Sequence, residues 1–193
     1  MKNKFKINNK GFWETETEIG HHYDKKIAEY LLNFLKKEGI NTFVDFGCGM
    51  GDYIKNINNN SNITCEAYDG NPNTNKLTEG IGKILDLSIP FKLKNNFECV
   101  MSLEVGEHIP KEYEQIFIKN ITAHSNNMLI ISWAIKGQGG DGHVNCQNND
   151  YIIGQIEKHG FKYNKIDSDE FRKNVSNAHW FKNTIMVFYK HNH

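Results

Sequence analysis

The chain has 193 residues, a length that suits one domain with an adequate hydrophobic core. Its 23 lysines and arginines balance its 23 aspartates and glutamates, and this zero net charge argues against a large electrostatic surface for nucleic acid. No apolar run approaches the roughly 18 residues of a membrane helix, and no apolar segment follows Met1-Lys2-Asn3-Lys4 to form a signal peptide. The four cysteines are widely spaced, which favours reduced thiols in a cytosol. We therefore expect a cytoplasmic protein without a membrane partner.

Hydrophobic periodicity predicts strands and helices that alternate along the chain. Residues 1–20 are polar and predict an extended or partly ordered lead-in. A helix is expected from Ile27 to Leu35 with a stop signal at Gly39, and further helices after residue 51, over 113–121 and over 151–159. Apolar runs predict strands at 42–46, 63–68, 82–85, 97–103, 128–133, 161–166 and 184–189. The alternation indicates an α/β fold with a doubly wound, mostly parallel seven-stranded sheet and helices on both faces, in a single domain over 1–193.

The segment from Val44 to Asp52 reads Val-Asp-Phe-Gly-Cys-Gly-Met-Gly-Asp and lies where the first of these strands meets a helix. Alternating glycines let the backbone turn sharply and leave it bare enough for a ligand to lie against it. The dinucleotide fingerprint would need its third glycine at position 52, and no phosphate-binding lysine follows, which excludes a P-loop. Acid-x-Gly-x-Gly-x-Gly resembles the S-adenosylmethionine loop of class I methyltransferases, whose fold is Rossmann-like. A glycine-rich hairpin turn is the alternative interpretation.

Two further acids are expected at the tips of the next two strands. Asp69 could accept both hydroxyls of a ribose, or be a solvated turn residue. Asp86 could meet an adenine amino group, or cap a helix. The resemblance covers roughly residues 40–135 and implies S-adenosylmethionine as cofactor. It implies that the following residues bind the methionine, ribose and adenine parts: Asp45, Gly47, Cys48, Gly49, Gly51, Asp69, Gly70, Asn71, Asp86, Leu87 and Glu104.

A second cluster of chemically active residues follows the fourth strand, in Glu104-Val-Gly-Glu107-His108. If a helical turn begins at Glu104, positions i+3 and i+4 share its face, and two carboxylates with an imidazole suit a divalent metal. The segment resembles that of small-RNA 2′-O-methyltransferases and ubiquinone-biosynthesis O-methyltransferases. In the RNA family a histidine from a later loop completes the site, which implies His143 here, with Asp141 in reserve.

The resemblance leaves two mechanisms open. In one, Mg²⁺ or Mn²⁺ binds to Glu104, Glu107, His108 and His143; in the other, His108 or His143 is a metal-free general base. Both make His108, His143 and Glu107 the catalytic residues, and a structural role for Glu107 or His108 is the third possibility. The long loop over 134–148 is expected to form part of the active site, because long loops tend to be functional. Aromatic residues at 133, 151 and 180 could line an acceptor pocket or pack in the core.

The function expected from these patterns is O-methylation of a sugar, glycan precursor or other small polyol, since the whole set of motifs resembles compact methyltransferases that modify carbohydrates. An RNA-terminal 2′-hydroxyl is a rival acceptor, which the neutral charge balance disfavours because phosphate contacts need clustered lysines or arginines. A catalytically silent domain that binds S-adenosylmethionine is the alternative from another class. The expected partner is thus a small-molecule or carbohydrate acceptor, and no oligomeric state is predicted.

Overall fold

The computed structural model describes residues 6–18 and 20–191. The first five residues of the predicted lead-in and Ile19 lie outside the described residues. The helices are α1 (Lys25–Lys37), α2 (Asp52–Asn60), α3 (Thr74–Leu77), α4 (Glu114–Ala123), α5 (Asn149–Glu157), α6 (Lys165–Lys173) and α7 (Phe181–Thr184). The strands are β1 (Lys6–Ile7), β2 (Trp13–Glu14), β3 (Thr42–Phe46), β4 (Thr64–Asp69), β5 (Gly82–Ile84), β6 (Phe97–Ser102), β7 (Ser125–Ile131), β8 (Phe161–Asn164) and β9 (Met186–Lys190).

Within this described part of the chain, seven strands form one sheet in the order β5-β4-β3-β6-β7-β9-β8. The strands from β3 to β7 run parallel, and β9 enters antiparallel between β7 and β8. Side chains of successive strand residues point to opposite faces, so Phe43 packs into the core on one face and Val44 into the core on the other. Helix α1 covers the first face and α4 the second. The predicted doubly wound, mostly parallel sheet is confirmed.

The N-terminal lead-in forms a short hairpin, in which β1 and β2 pair with each other and not with the large sheet. The hairpin lies across the strand tips. Lys10 Nζ contacts Asp86 Oδ2 at 2.7 Å, and the Phe12 ring packs on Gly70. The side-chain amides of Asn71 and Asn73 donate to the carbonyl oxygen of Thr15 at 3.1 and 3.0 Å. The hairpin therefore covers the edge of the sheet where ligands bind in folds of this class.

The end of the chain differs from the prediction at two places. The strand expected over 161–166 ends at Asn164, because the Asn164 side chain accepts a hydrogen bond from the backbone N–H of Asp167 and caps the helix α6, which the sequence analysis did not predict. The strand expected over 184–189 begins at Met186, since Thr184 is still the last residue of α7.

Asp24 connects the start of α1 to the segment before α7. Its buried carboxylate accepts hydrogen bonds from six donors in the described residues: the backbone N–H groups of Lys26, Ile27, Ser176, Asn177 and Ala178 and the Ser176 hydroxyl. Burial alone would raise the pKa of Asp24, but these hydrogen bonds lower it to about 2. Asp24 thus fixes the start of α1 relative to residues 176–178, which precede α7.

A membrane helix would need length and continuous apolar character together. Among the helices of residues 6–18 and 20–191, none combines the two well enough to span a bilayer.

Candidate active site

The carboxyl ends of β3, β4 and β6 meet in a cavity of about 430 Å³. The hairpin and the loop over 134–148 supply further parts of its wall. Most of the residues predicted to act lie on this wall: Asp45, Gly47, Cys48, Gly49, Asp69, Gly70, Asn71, Asp86, Leu87, Glu104, His108, Asp141 and His143. Gly51 does not line the cavity but caps the N-terminus of α2, and Glu107 is fully buried directly behind the wall.

The glycine loop passes close to neighbouring groups at two positions. Gly47 and Gly49 have φ values of +88° and +53°, a region that side chains disfavour. A Cβ atom at Gly47 would overlap the Val105 side chain, and one at Gly49 would press on the imidazole of His21. The N–H groups of Gly47 and Cys48 both donate to the Tyr68 carbonyl, at 2.7 and 3.0 Å. The loop is therefore held in one conformation with bare backbone towards the cavity.

The two acids at the strand tips have different partners. Asp69 accepts hydrogen bonds from the N–H groups of Gly49 and Asn71, both at 2.9 Å, so it joins the end of β4 to the glycine loop. Asp86 accepts from the N–H and hydroxyl of Ser88 and forms its ion pair with Lys10. Burial would raise the pKa of Asp86, but Lys10 and Ser88 lower it. Asp86 thus stabilises the turn that follows β5 and also faces the cavity. It caps no helix, because the next helical segment of the described chain begins only at Lys111.

Asp45 is a buried acid at the tip of β3, only 3% exposed. Burial, together with the nearby charge of Asp69, raises its pKa to about 8. A carboxyl that stays neutral near pH 7 in the fold is ready to ionise when a cationic group enters the cavity.

We expect the Asp45→Asn variant to be more stable than the wild type at pH 8. A folded-state pKa above the unfolded value of about 4 means that the fold retains a proton, so stability falls as pH rises from about 4 to about 8. Asparagine removes this dependence. Calorimetric unfolding should show that the advantage of the variant grows to roughly 1–3 kcal/mol between pH 5 and pH 8. Identical pH dependence in both proteins would show that Asp45 is ionised throughout.

The turn after β6 differs from the predicted helical turn. Backbone N–H groups of His108 and Ile109 donate to the carbonyls of Val105 and Gly106, so the turn begins at Val105. Glu104 precedes it with φ +53°, a left-handed conformation that is strained for this residue. The prediction that Glu104 shares a helical face with Glu107 and His108 is therefore wrong.

Glu104 is instead held by groups from other segments. Its carboxylate accepts hydrogen bonds from the Gln138 amide at 2.9 Å and from the Thr184 hydroxyl at 3.3 Å. Its N–H donates to the Ser132 hydroxyl at 2.7 Å. Burial raises the pKa of Glu104. These contacts place its carboxylate beside the cluster formed by Glu107 and the two histidines, but not within it.

Glu107, His108 and His143 form a compact cluster, in which one donor atom from each lies within 4.8 Å of the others. His143 Nε2 is 4.0 Å from Glu107 Oε1, and the two imidazole centres are 4.9 Å apart. Neither oxygen of the fully buried Glu107 carboxylate has a hydrogen-bond partner among the described residues. Burial and the charge of Glu104 raise the pKa of Glu107 well above its ordinary value. A carboxyl in this situation keeps its proton unless a cation lies beside it.

The hydrogen bonds of the two imidazoles assign their protons. His108 Nδ1 lies 3.3 Å from the Gly142 carbonyl, and His143 Nδ1 lies 3.3 Å from the Gln138 carbonyl. Because a carbonyl only accepts, these contacts favour the tautomer in which Nδ1 carries the proton in each neutral ring. Burial, then the neighbouring His143, lowers the pKa of His108 to about 4, so it is neutral near pH 7. Two imidazole nitrogens and one carboxylate are a suitable ligand set for a divalent cation.

The hairpin contributes wall residues that the sequence analysis did not assign. The Trp13 ring meets His108 edge-on at 5.4 Å and His21 at 5.5 Å. His21 lies against the glycine loop, and its buried Nε2 has no hydrogen-bond partner within residues 6–18 and 20–191. His22 is exposed and packs on Trp180. Isolated aromatic residues in an otherwise polar lead-in were the only signal for this role.

Of the three aromatic residues considered for an acceptor pocket, only Trp180 lines the cavity. Trp133 is 1% exposed and packs against Phe117 in the core. The Tyr151 hydroxyl donates a hydrogen bond to Glu114, away from the cavity wall. Asp141, the reserve metal ligand, is exposed on the loop and lies outside the cluster.

Comparison with solved structures relates this fold to known ones. Magnesium protoporphyrin IX methyltransferase from Synechocystis PCC 6803 with bound SAH superposes with a TM-score of 0.62 at 16% identity, over 84% of this chain and 81% of that one. The methyltransferase domain of bacterial CtHen1-C superposes with a TM-score of 0.61 at 16% identity, over 87% of this chain and 98% of that one. The sugar N-methyltransferase KedS8 from Streptoalloteichus sp. superposes with a TM-score of 0.68 at 12% identity, over 91% of this chain and 90% of that one.

No protein-family model matches the sequence, and no curated protein matches it significantly. The chain shares the Rossmann-like fold of class I S-adenosylmethionine-dependent methyltransferases, so the predicted resemblance is confirmed for the fold.

Proposed function

We propose that this protein is an S-adenosylmethionine-dependent methyltransferase that methylates a hydroxyl of a sugar, glycan precursor or other small polyol with the help of a divalent cation. One observation carries the proposal. The glycine loop, the acids at the strand tips and the two histidines of the cluster, His108 and His143, border the same cavity, and Glu107 lies buried beside them. A site for an activated methyl donor and a site that can activate a hydroxyl would thus adjoin each other.

The cofactor would lie along the carboxyl ends of β3, β4 and β5. The glycine loop would hold the methionine part, with the neutral Asp45 ionising beside its ammonium group. Asp69 would accept from the ribose, and Asp86 with Leu87 would meet the adenine. Solved structures with this fold contain SAM or SAH, which supports this assignment. The sulfonium methyl is already activated, so the protein mainly aligns the acceptor for in-line displacement.

The ligand set indicates which cation the cluster would take. Mg²⁺ prefers a set made of oxygen ligands alone, whereas two imidazoles beside a carboxylate suit divalent transition metals. Of these, Mn²⁺ shares the preference of Mg²⁺ for oxygen ligands, and it is therefore the ion used in the tests. A bound cation would lower the pKa of the acceptor hydroxyl and orient it. The Gly142 and Gln138 carbonyls would engage Nδ1 of the two histidines and so leave the Nε2 atoms available as ligands. Without a cation, the same Nε2 atoms could take the hydroxyl proton, and this remains the alternative mechanism.

The chemistry of the cavity wall favours an uncharged, hydroxyl-rich acceptor. Beside the cluster, the wall offers the Trp180 ring, the Gln138 amide and the Asp141 carboxylate, groups that stack on and hydrogen-bond to sugars. Among the described wall residues the one lysine or arginine is Lys10, and its charge is paired with Asp86. A phosphate-rich RNA end would need more basic residues. The fold is shared with a sugar N-methyltransferase and also with the methyltransferase domain of CtHen1-C, so the cavity wall and not the fold supports this class of acceptor.

We expect Asp69→Ala to weaken binding of S-adenosylhomocysteine by roughly 1–3 kcal/mol, or about 5- to 150-fold. The variant loses the carboxylate that would accept hydrogen bonds from the ribose. It also loses the hydrogen bond between that carboxylate and the N–H of Gly49. Titration calorimetry measures the change, with Asp150→Ala in the first turn of α5 as a control that should bind like the wild type. Unchanged affinity in Asp69→Ala would remove this residue from the site.

Turnover tests the activity itself. The protein is incubated with S-adenosylmethionine, Mn²⁺ and a panel of sugars, nucleotide sugars and polyols, and S-adenosylhomocysteine is measured. Turnover with a carbohydrate supports the proposal, whereas methylation of an RNA 3′ end alone would establish the rival acceptor. If the protein binds the cofactor but turns over neither the carbohydrate panel nor an RNA 3′ end, the interpretation as a catalytically silent binding domain is the one that stands.

A further inference from the structure

A buried polar network ties the active-site loop to helix α4 outside the cavity. Glu114, at the start of α4, is 1% exposed, and Asn145, near the end of the loop over 134–148, is 3% exposed. The Asn145 amide donates to Glu114 Oε2 at 2.9 Å. Lys111 Nζ contacts both oxygens of Glu114 at 2.8 Å, and the Tyr151 hydroxyl donates to Oε1 at 2.6 Å. Every hydrogen-bonding direction of this carboxylate is therefore used, which makes it a firm anchor.

The backbone around Asn145 connects this network to the turn that carries Glu107. The N–H groups of Val144 and Asn145 both donate to the Glu107 carbonyl at 2.9 Å. The Asn145 carbonyl accepts from the indole N–H of Trp133 at 2.6 Å. The Trp133 ring in turn lies so close to Gly106 that a Cβ there would overlap it. The loop end, the turn and the Trp133 side chain thus form one connected unit.

His143 stands two residues before Asn145, in the part of the loop that has few other attachments. Gly137 and Gly139 have open space where a side chain would point, and residues 139–141 are exposed. The contacts of His143 itself are long: 3.3 Å to the Gln138 carbonyl and 3.6 Å to Cys146 Sγ. These two contacts lie within the loop. Two further contacts tie the loop to its surroundings, from the Gln138 amide to Glu104 at 2.9 Å and from the Gly142 carbonyl to His108 at 3.3 Å. The paired hydrogen bonds of Val144 and Asn145 are the ones that reach the turn at Glu107 itself.

We propose that Glu114 and Asn145 are positioning residues that hold His143 against Glu107 and His108, although neither lines the cavity. The inference rests on the proposed function for its catalytic meaning. By this inference the start of α4 helps to assemble the cluster, in the way that groups hydrogen-bonded to metal ligands orient those ligands. Glu114 acts through Asn145, and Asn145 acts through the backbone of residues 143–145.

The test compares Asn145→Ala, Glu114→Ala and the conservative Glu114→Gln with the wild type. Ser168→Ala is the matched control, because Ser168 is a fully buried polar side chain that ties α6 to β9, with its hydroxyl contacting Asn164 and Val187. Mn²⁺ affinity and S-adenosylhomocysteine affinity are measured by calorimetry, and amide hydrogen exchange is measured over residues 136–144. His143→Ala sets the scale for complete loss of one ligand.

We expect Asn145→Ala and Glu114→Ala to weaken Mn²⁺ binding about 10- to 100-fold and to speed exchange over 136–144, while S-adenosylhomocysteine affinity stays within about twofold of the wild type. Glu114→Gln, which keeps an oxygen acceptor for Asn145, should lie closer to the wild type. Ser168→Ala should lose stability and keep its Mn²⁺ affinity.

Wild-type Mn²⁺ affinity and wild-type loop exchange in Asn145→Ala would overturn the inference. Equal weakening of Mn²⁺ binding in Ser168→Ala would also overturn it, since general destabilisation would then explain the effect. If the wild-type chain binds no Mn²⁺, the metal part of the proposed function fails. Loop exchange then decides the positioning inference by itself: unchanged exchange in both alanine variants overturns it, and faster exchange supports it.

Discussion

Replacement of Glu107 by glutamine is expected to lower turnover at saturating cofactor by a factor of about 100 to 10,000. Glutamine has the same shape but carries no charge, so the cluster loses its one anionic ligand. The wild-type carboxylate is fully buried with both oxygens unpaired, which is costly unless a cation or proton meets it. Turnover is measured with the best acceptor from the panel, before and after treatment with EDTA. The wild type should lose activity in EDTA and regain it with Mn²⁺, whereas Glu107→Gln should not respond to added Mn²⁺.

Glu104→Gln is the matched control for this variant. The two glutamates are three positions apart. Glu107 is fully buried and Glu104 is partly buried, and Glu104 already has hydrogen-bond partners in Gln138 and Thr184. We expect a smaller loss of turnover and full recovery with Mn²⁺ after EDTA. Full wild-type activity in the presence of EDTA would contradict the metal mechanism and leave an imidazole general base. Equal losses in both glutamate variants would instead show that the two carboxylates act as a unit.

Replacement of Asp24 by alanine is expected to lower the free energy of unfolding by about 3–5 kcal/mol. The variant leaves six donors without their acceptor, and the carboxylate they surround is fully buried. The folded-state pKa of about 2 lies below the unfolded value of about 4, so the charged form contributes about 2 kcal/mol that is present above pH 4 and lost as pH falls towards 2. Urea unfolding at pH 7 and at pH 3 measures both effects.

Asn164→Ala provides the comparison, because Asn164 caps α6 through a single side-chain hydrogen bond in the described structure. An ordinary cap of this kind is worth about 1 kcal/mol. If Asp24→Ala cost no more than Asn164→Ala at pH 7, the contacts to residues 176–178 would contribute nothing. The wild type should also lose more stability than Asp24→Ala between pH 7 and pH 3, and parallel pH curves would contradict the assigned pKa.

Local chemistry made the central part of the fold predictable. Alternating glycines after a buried strand allow few backbone arrangements, so Gly47 and Gly49 revealed the strand-to-helix turn. Because the carboxyl ends of parallel strands share one edge, the order of the elements was enough to bring Asp69 and Asp86 to the same cavity.

Contacts between distant segments were beyond the reach of local patterns. Asp24 finds its main partners about 150 positions later in the chain, and nothing in the sequence near it marks that connection. The strained conformation of Glu104 arises because the Ser132 hydroxyl and other distant groups hold it, whereas spacing alone favoured a helical turn. The helix α6 was missed because its apolar residues are few, and the cap at Asn164 marks its start more clearly than any periodicity.

The separate hairpin has a practical meaning for redesign. Residues 6–18 bring Lys10, Phe12 and Trp13 to the cavity wall, yet β1 and β2 share no ladder with the large sheet. Its sequence can therefore be varied without breaking any strand pairing of the large sheet, as long as Lys10 and the Thr15 carbonyl keep their contacts to Asp86, Asn71 and Asn73 at the strand tips. Libraries aimed at new ligands of the cavity can begin at the other wall positions of the hairpin.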